Sequence, residues 1–286
     1  MAELADLGVH ILGGCCGTDP AYIALLKKAL EGRRRPRLSP QIPAAVCSAA
    51  RTVALDHPRV IGERINPTGK KLFQAALRRQ DMDYILGQAL QQVKAGAELL
   101  DVNVGLPDID EEGMMVRAAV ALPGVTDAPL QFDSTKAAVL EAALRVYPGK
   151  AVINSVNGEE ESLSAILPLA RKYGAAVVGL TLDRGGIPKT AEDRLDIARR
   201  ILDRALSLGI PRRDVYIDCL TLTASAEQAA VLETLRAVAM VKAELGLKTV
   251  LGVSNISFGL PAREAVNQSF LTLALGAGLD LPILNP

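Results

Sequence analysis

Residues 129–158 constrain this chain more than any other stretch. Leu130-Gln131-Phe132 is a short, largely apolar run that ends in Asp133, and Ala151-Val152-Ile153 is another that ends in Asn154. Between them residues 137–147 carry a helical pattern. A strand, a helix and a second strand, each strand ending in a polar side chain, is a unit of a parallel α/β fold with its chemistry at the carboxyl ends of the strands.

The arrangement repeats. Strands are expected at 60–66, 98–104, 130–133, 151–154, 175–182, 214–218, 249–253 and 279–284. Helices are expected up to 95, at 110–121 and 137–147, from 157, and at 190–208, 227–245 and 261–275. This predicts a (β/α)₈ barrel over 59–286 that lacks its last helix, with the apolar surface over the eighth strand left uncovered. The chain reads as truncated at both ends. Residues 32–58 are expected to be a linker: Gly32-Arg33-Arg34-Arg35-Pro36-Arg37 is a charge run, and Pro40 and Pro43 continue it. One short strand at 52–55 is expected to close the bottom of the barrel. Residues 1–31 read as the end of another domain, with a helix at 1–7, a strand at 9–12, Gly13-Gly14-Cys15-Cys16-Gly17-Thr18, and a helix opened by Asp19-Pro20.

Composition fits. Hydrophobic residues make up 49% of the 286, while aromatics are 3% with no Trp, so Ala, Leu and Val must fill the core. A net charge of zero argues against a nucleic-acid partner. No apolar run reaches the ~18 residues of a membrane span, and no signal peptide is expected. Four Cys, two of them adjacent, do not make a disulfide framework, so a cytoplasmic location is expected.

Glu63, Asn66, Asp101, Asn103, Asp133, Asn154, Asp183, Asp218 and Asn255 all fall at carboxyl ends of predicted strands. Any one of them could cap a helix or make a turn. So many together, on strands with apolar interiors, mark a site instead. Alternation turns Cys219 outward if Asp218 faces the barrel axis. Glu159, Glu160 and Glu161 complement a helix dipole and are structural. Carboxylates and carboxamides without an obvious His or a dense basic cluster disfavour phosphate and suit a neutral heterocycle rich in N–H donors, such as a pterin or guanine. Adjacent cysteines could give Zn²⁺ two thiolates, but a catalytic zinc needs three protein ligands, and neither Cys47, Cys219 nor His10 is an evident third.

Gly13-Gly14-Cys15-Cys16-Gly17-Thr18 followed by a short helix resembles the last strand and loop of the homocysteine S-methyltransferase family. There the Cys pair supplies two of three zinc thiolates, and zinc activates the homocysteine thiol. The resemblance implies that Cys15 and Cys16 are an incomplete zinc site in a barrel remnant. The barrel itself resembles the pterin-binding methyltransferase family, which comprises the folate barrel of cobalamin-dependent methionine synthase and the methyltetrahydrofolate:corrinoid methyltransferases. The motifs are Gly62-Glu63-Arg64-Ile65-Asn66-Pro67-Thr68-Gly69, Asp101-Val102-Asn103, Phe132-Asp133-Ser134-Thr135, Ile153-Asn154-Ser155, Tyr216-Ile217-Asp218 and Gly252-Val253-Ser254-Asn255-Ile256-Ser257-Phe258-Gly259-Leu260-Pro261. The resemblance implies that Asp133, Asn154 and Asp218 hold the pterin edge and that Asn255 bonds near N5. Glu63, Asn66, Asp101 and Asp183 would line the same mouth. It implies methyl transfer from 5-methyltetrahydrofolate to cob(I)alamin, with Asn255 and Asp218 catalytic and the cobalamin carried by another domain or protein. Dihydropteroate synthase shares the fold and pocket, but that family has an Asn-Val-Thr-Pro-Asp-Ser-Phe type of loop after strand one and a Lys near strand seven, where this chain has Asn66-Pro67-Thr68-Gly69-Lys70 and Ser254-Asn255-Ile256-Ser257. A folate-binding chain without turnover is the non-enzymatic alternative.

Overall fold

Asp19 and Pro20 start a helix for local reasons. The Asp19 carboxylate accepts the Tyr22 N–H at 2.7 Å, and Pro20 occupies a first-turn position where no N–H is needed. In the computed structural model, which describes residues 2–33 and 42–286, this helix α2 (Pro20–Leu30) follows α1 (Ala2–Asp6) within a first unit, Met1–Ile42. The strand expected at 9–12 does not form. Val9 is 40% and Ile11 91% exposed, and among the described residues no strand lies beside them to take up their backbone groups. Arg34, Arg35, Pro36, Arg37 and Pro40 of the predicted linker lie outside the described residues.

The second unit is Pro43–Pro286, so residues 43–58 of the stretch expected as a linker belong to the barrel unit. β1 (Ala45–Cys47) and β2 (Thr52–Ala54) pair antiparallel as a hairpin, where a single strand was expected. Val46, Val53 and Leu55 pack in one cluster with Ile61, Leu99, Val152 and Leu281, each the first residue of its barrel strand, so the hairpin plugs the amino-terminal end of the barrel.

That barrel is closed and parallel. β3 (Ile61–Ile65), β4 (Leu99–Val102), β5 (Leu130–Asp133), β6 (Val152–Asn157), β7 (Ala176–Leu180), β8 (Val215–Asp218) and β9 (Lys248–Gly252) follow in order, and β10 (Leu281–Leu284) joins β9 to β3. β3 is followed by α3 (Lys71–Arg78) and α4 (Met82–Lys94), and the next six strands by α5 (Glu111–Ala121), α6 (Ala137–Val146), α7 (Glu160–Tyr173), α8 (Ala191–Ser207), α9 (Ala229–Met240) and α10 (Arg263–Ala277). The eight-stranded α/β barrel expected from the sequence is therefore the fold. Strand four runs longer than predicted: Asn157 ends β6 rather than starting a helix, and its side chain accepts the Glu159 N–H at 2.9 Å.

Side-chain alternation divides the core in two. Leu100, Val102, Phe132, Ile153, Val177 and Ile217 pack outward against the helices. Their neighbours face the axis, apolar at the strand starts and polar at the strand ends. Cys219 is fully buried in the outer cluster, as the alternation predicts, and burial pushes its thiol pKa up. Buried charges hold the amino-terminal end. Asp280, just before β10, bonds Lys242 at 2.8 Å and Lys248 at 2.9 Å and accepts the Thr249 N–H at 2.9 Å.

Candidate active site

The axial positions at the strand ends carry a linked set of carboxylates and carboxamides. Asp101 on β4 lies beside Gln131 on β5 in register, and Gln131 Nε2 donates to Asp101 Oδ1 at 2.7 Å. Asn154 on β6 donates its Nδ2 to the same oxygen at a longer 3.4 Å. Asp133 is in register with Asn154 and accepts from Asn103 Nδ2 at 2.9 Å. The Gly105 N–H fixes the other end of the Asn103 amide at 2.9 Å, so Asn103 presents its donor to Asp133. Asp101 is 3% exposed, and burial pushes its carboxyl well above its ordinary value, with the Asp133 charge adding to the effect. Burial raises Asp133 as well, against the Asn103 hydrogen bond.

Asp218 closes the other side. It ends β8, is 8% exposed, and accepts the Leu220 N–H at 2.7 Å through Oδ1. Burial pushes its carboxyl up to about 7, against that hydrogen bond and the charge of Arg194. Glu63 on β3 accepts from Ser254 Oγ at 2.8 Å, which ties the loop after β9 to β3. Desolvation raises Glu63 and lowers Lys70, whose amine rests on the Glu63 carbonyl at 2.7 Å.

Asn255 stands on a 3₁₀ turn, Val253–Ser257, at the rim, with its side chain exposed. It lies back over Gly252, where a Cβ would come within 2.8 Å of its Nδ2. Glycine there keeps the space that the carboxamide uses. The turn is held from the neighbouring loop: the Ala224 N–H reaches Ile256 O at 3.0 Å, and the Thr223 hydroxyl reaches Phe258 O at 2.8 Å. Arg263 stacks on the half-exposed Phe258 ring at 4.8 Å.

Two predicted residues are engaged elsewhere. Asp183 lies in the loop after β7, with its carboxylate taken by the Gly185 N–H at 3.0 Å and by Arg200 at 3.4 Å, outside the Asp101–Asp133 network. Asn66 makes a turn, accepting the Thr68 N–H at 2.9 Å. Three residues beside the network were missed. Gln131 was legible as an amide within an apolar strand, two positions before Asp133. Lys70 was visible only as part of a loop motif. Arg194 gave no signal, being one more charge on a charge-rich helix.

In the first unit the Cys15 and Cys16 sulfurs are 3.7 Å apart and exposed. Hydrogen bonding from Cys16 lowers the Cys15 thiol pKa. Among the described residues no cluster of three His, Cys, Asp or Glu could hold a metal ion, so the residues present do not make up a zinc site. No helix among them is long and apolar enough to cross a membrane.

The chain is similar to the methionine synthases of Mycobacterium tuberculosis, at 35% identity over 298 residues, and Mycobacterium leprae, at 34% over 304 residues. Each match covers 99% of this chain and 25% of the relative, so the chain spans about a quarter of the length of these curated relatives. Among solved structures it resembles a Yersinia pestis dihydropteroate synthase with a pterine–sulfa conjugate, at TM-score 0.67 and 19% identity over 85% of this chain and 92% of that one. It also resembles the Vibrio fischeri 7,8-dihydropteroate synthase, at TM-score 0.63 and 20% identity over 84% and 92%. At such identities these structures speak for the fold alone. The pterin binding enzyme family matches residues 62–285, nearly the whole barrel from β3 onward, and the chain belongs to that family.

Proposed function

We propose that this chain binds 5-methyltetrahydrofolate at the barrel mouth and passes its N5-methyl group to cob(I)alamin carried by another domain or protein, as the folate half of methionine synthesis. The observation that carries the reading is the set of polar groups at the strand ends, half-buried Asp133 and Asn154 and buried Asp218, beside a rim carboxamide, Asn255, with no side-chain partner among the described residues. A carboxylate takes two parallel hydrogen bonds from the N–H and NH₂ of a pterin edge. Prior bonds to Asn103 and Leu220 hold Asp133 and Asp218 in place before the ligand arrives, which lowers the ordering cost of binding.

The reaction moves a methyl group without its bonding electrons. The C–N pair stays on N5, and a tertiary amine leaves poorly until N5 carries a proton. Asn255 accepts a hydrogen bond from protonated N5 and stabilises the charge that the transition state needs. A buried carboxyl with a pKa near 7, Asp218, can keep or release a proton at neutral pH and so tune the proton affinity of the ring. The methionine synthase relatives support methyl transfer over other pterin chemistry.

Calorimetric titration with 5-methyltetrahydrofolate tests the pocket, and the loss of cob(I)alamin absorbance tests transfer. Asp133→Ala should weaken binding by roughly 10-fold or more, the loss of a charged hydrogen-bond pair. Asn255→Ala should bind within a few-fold of wild type and lose transfer by about 10²–10³. A folded wild-type chain that does not bind the ligand refutes the reading.

A further inference from the structure

Arg194 is the largest fully buried side chain among the described residues. It sits on α8, and among the described residues it forms no ion pair. Its Nε donates to Pro188 O at 2.9 Å, and Nη1 donates to Cys219 O at 2.9 Å, Leu220 O at 3.2 Å and Thr234 Oγ1 at 2.8 Å. Nη2 is buried without a partner. Burying a guanidinium without a counter-charge opposes folding unless its hydrogen bonds offset the cost. What it grips is the backbone just past Asp218. Leu220 has φ +62°, a left-handed conformation that a leucine adopts rarely, and in that conformation its N–H points back onto Asp218 Oδ1.

We propose that Arg194 is a positioning residue for Asp218: by holding the Cys219 and Leu220 carbonyls it fixes the turn whose N–H occupies one Asp218 oxygen, leaving the other for ligand. Among the described residues the Asp218 carboxylate accepts through Oδ1 and not through Oδ2, consistent with a single oxygen being reserved in this way. The guanidinium acts through charge as well. Asp218 on β8, Cys219 next to it, Glu227 in the following loop and Glu233 on α9 are the ionisable groups that face Arg194. Of these, Asp218 alone belongs to the network at the mouth. Arg194 and the Leu220 N–H both favour its ionised form against burial. The role deepens the pterin reading of the site and rests on it for its purpose, but not for its geometry.

The test compares wild type with Arg194→Met and Arg194→Lys. The Asp218 carboxyl is followed by ¹³C NMR titration in the ligand-free protein, and 5-methyltetrahydrofolate binding is followed against pH. Arg194→Met should raise the Asp218 midpoint by about one pH unit and weaken binding at pH 7 by about 10-fold. Arg194→Lys keeps the charge but not the fork, so it should hold the midpoint near wild type while still weakening binding. A merely structural role would lower the melting temperature without moving the midpoint. An unchanged midpoint in Arg194→Met overturns the proposal; if that variant does not fold, a wild-type midpoint together with wild-type affinity in Arg194→Lys does so. If wild type binds no folate yet the midpoint moves, the functional reading fails and the positioning role stands.

Discussion

Asp218 carries the cost of burying a carboxylate at the end of β8. Its carboxyl is raised from the ordinary carboxylate range to about 7 by burial. The folded protein therefore holds this proton more tightly than the unfolded chain. The stability it contributes is fully present below the unfolded pKa and is lost as pH rises through about 7. Asp101 and Asp133, also raised by burial, act in the same direction. Asp218→Asn removes the titration but keeps the shape. It should be more stable than wild type at pH 8 by roughly 2–4 kcal/mol, and the gain should shrink as pH falls below 7 and vanish only below about pH 4. Binding of 5-methyltetrahydrofolate should fall at least ~10-fold. Urea denaturation at both ends of this pH range, with calorimetry beside it, checks both; equal stability of the two proteins at pH 8 would show that Asp218 is not desolvated in solution. The positions of Asp101, Asp133, Asn154 and Asp218 were legible because strand alternation fixes which side chains face the axis. What each one touches was not. Nothing in the order of residues says that Asn103 serves Asp133, that Asp183 turns toward Arg200, or that a helix arginine reaches under the β8 loop, since those contacts depend on three-dimensional proximity.

At the scale of elements, regular strands and helices were read within a few residues, while short pieces were not. β1 has three residues, too few to show a period, and it follows Pro40 and Pro43, so it passed as linker. The opposite error occurred at 9–12, where an apolar run read as a strand has no neighbour to pair with among the described residues. Sequence pattern reports what a segment could bury and says nothing about whether a partner is present. The hairpin offers a clean separation of fold from site, because it plugs the amino-terminal end of the strands while Asp133, Asn154 and Asp218 stand at the carboxyl end. Leu55 is 2% exposed in that plug. Leu55→Ala should cost about 2–5 kcal/mol, as deletion of a packed leucine does, and leave folate affinity at the wild-type value. Urea denaturation and calorimetric titration measure the two sides. A large loss of affinity in a folded Leu55→Ala protein would mean that packing at the closed end is transmitted to the mouth.

For the whole molecule, the governing fact is that a closed barrel has no free edge. β10 must pair with both β9 and β3, with Leu281 opposite Val250 and Ile283 opposite Ile61, or the sheet opens. Closure needs only residues from Ala44 onward. The hairpin, the eight strands, the Asp280 ion pairs and every carboxylate at the mouth lie within Pro43–Pro286. The first unit builds its own contacts, such as the Arg33–Asp6 ion pair. A protein beginning at Pro43 should therefore melt within about 2 °C of the full chain, no more than the ~2–4 °C that 1 kcal/mol makes in a domain of this size. It should bind 5-methyltetrahydrofolate with unchanged affinity. Differential scanning calorimetry and titration of the two proteins side by side decide it. A shortened protein that fails to fold would mean that residues 1–42 complete the barrel core. One that folds but binds poorly would make the first unit part of the ligand site, and the exposed Cys15–Cys16 pair would then be its first residues to mutate.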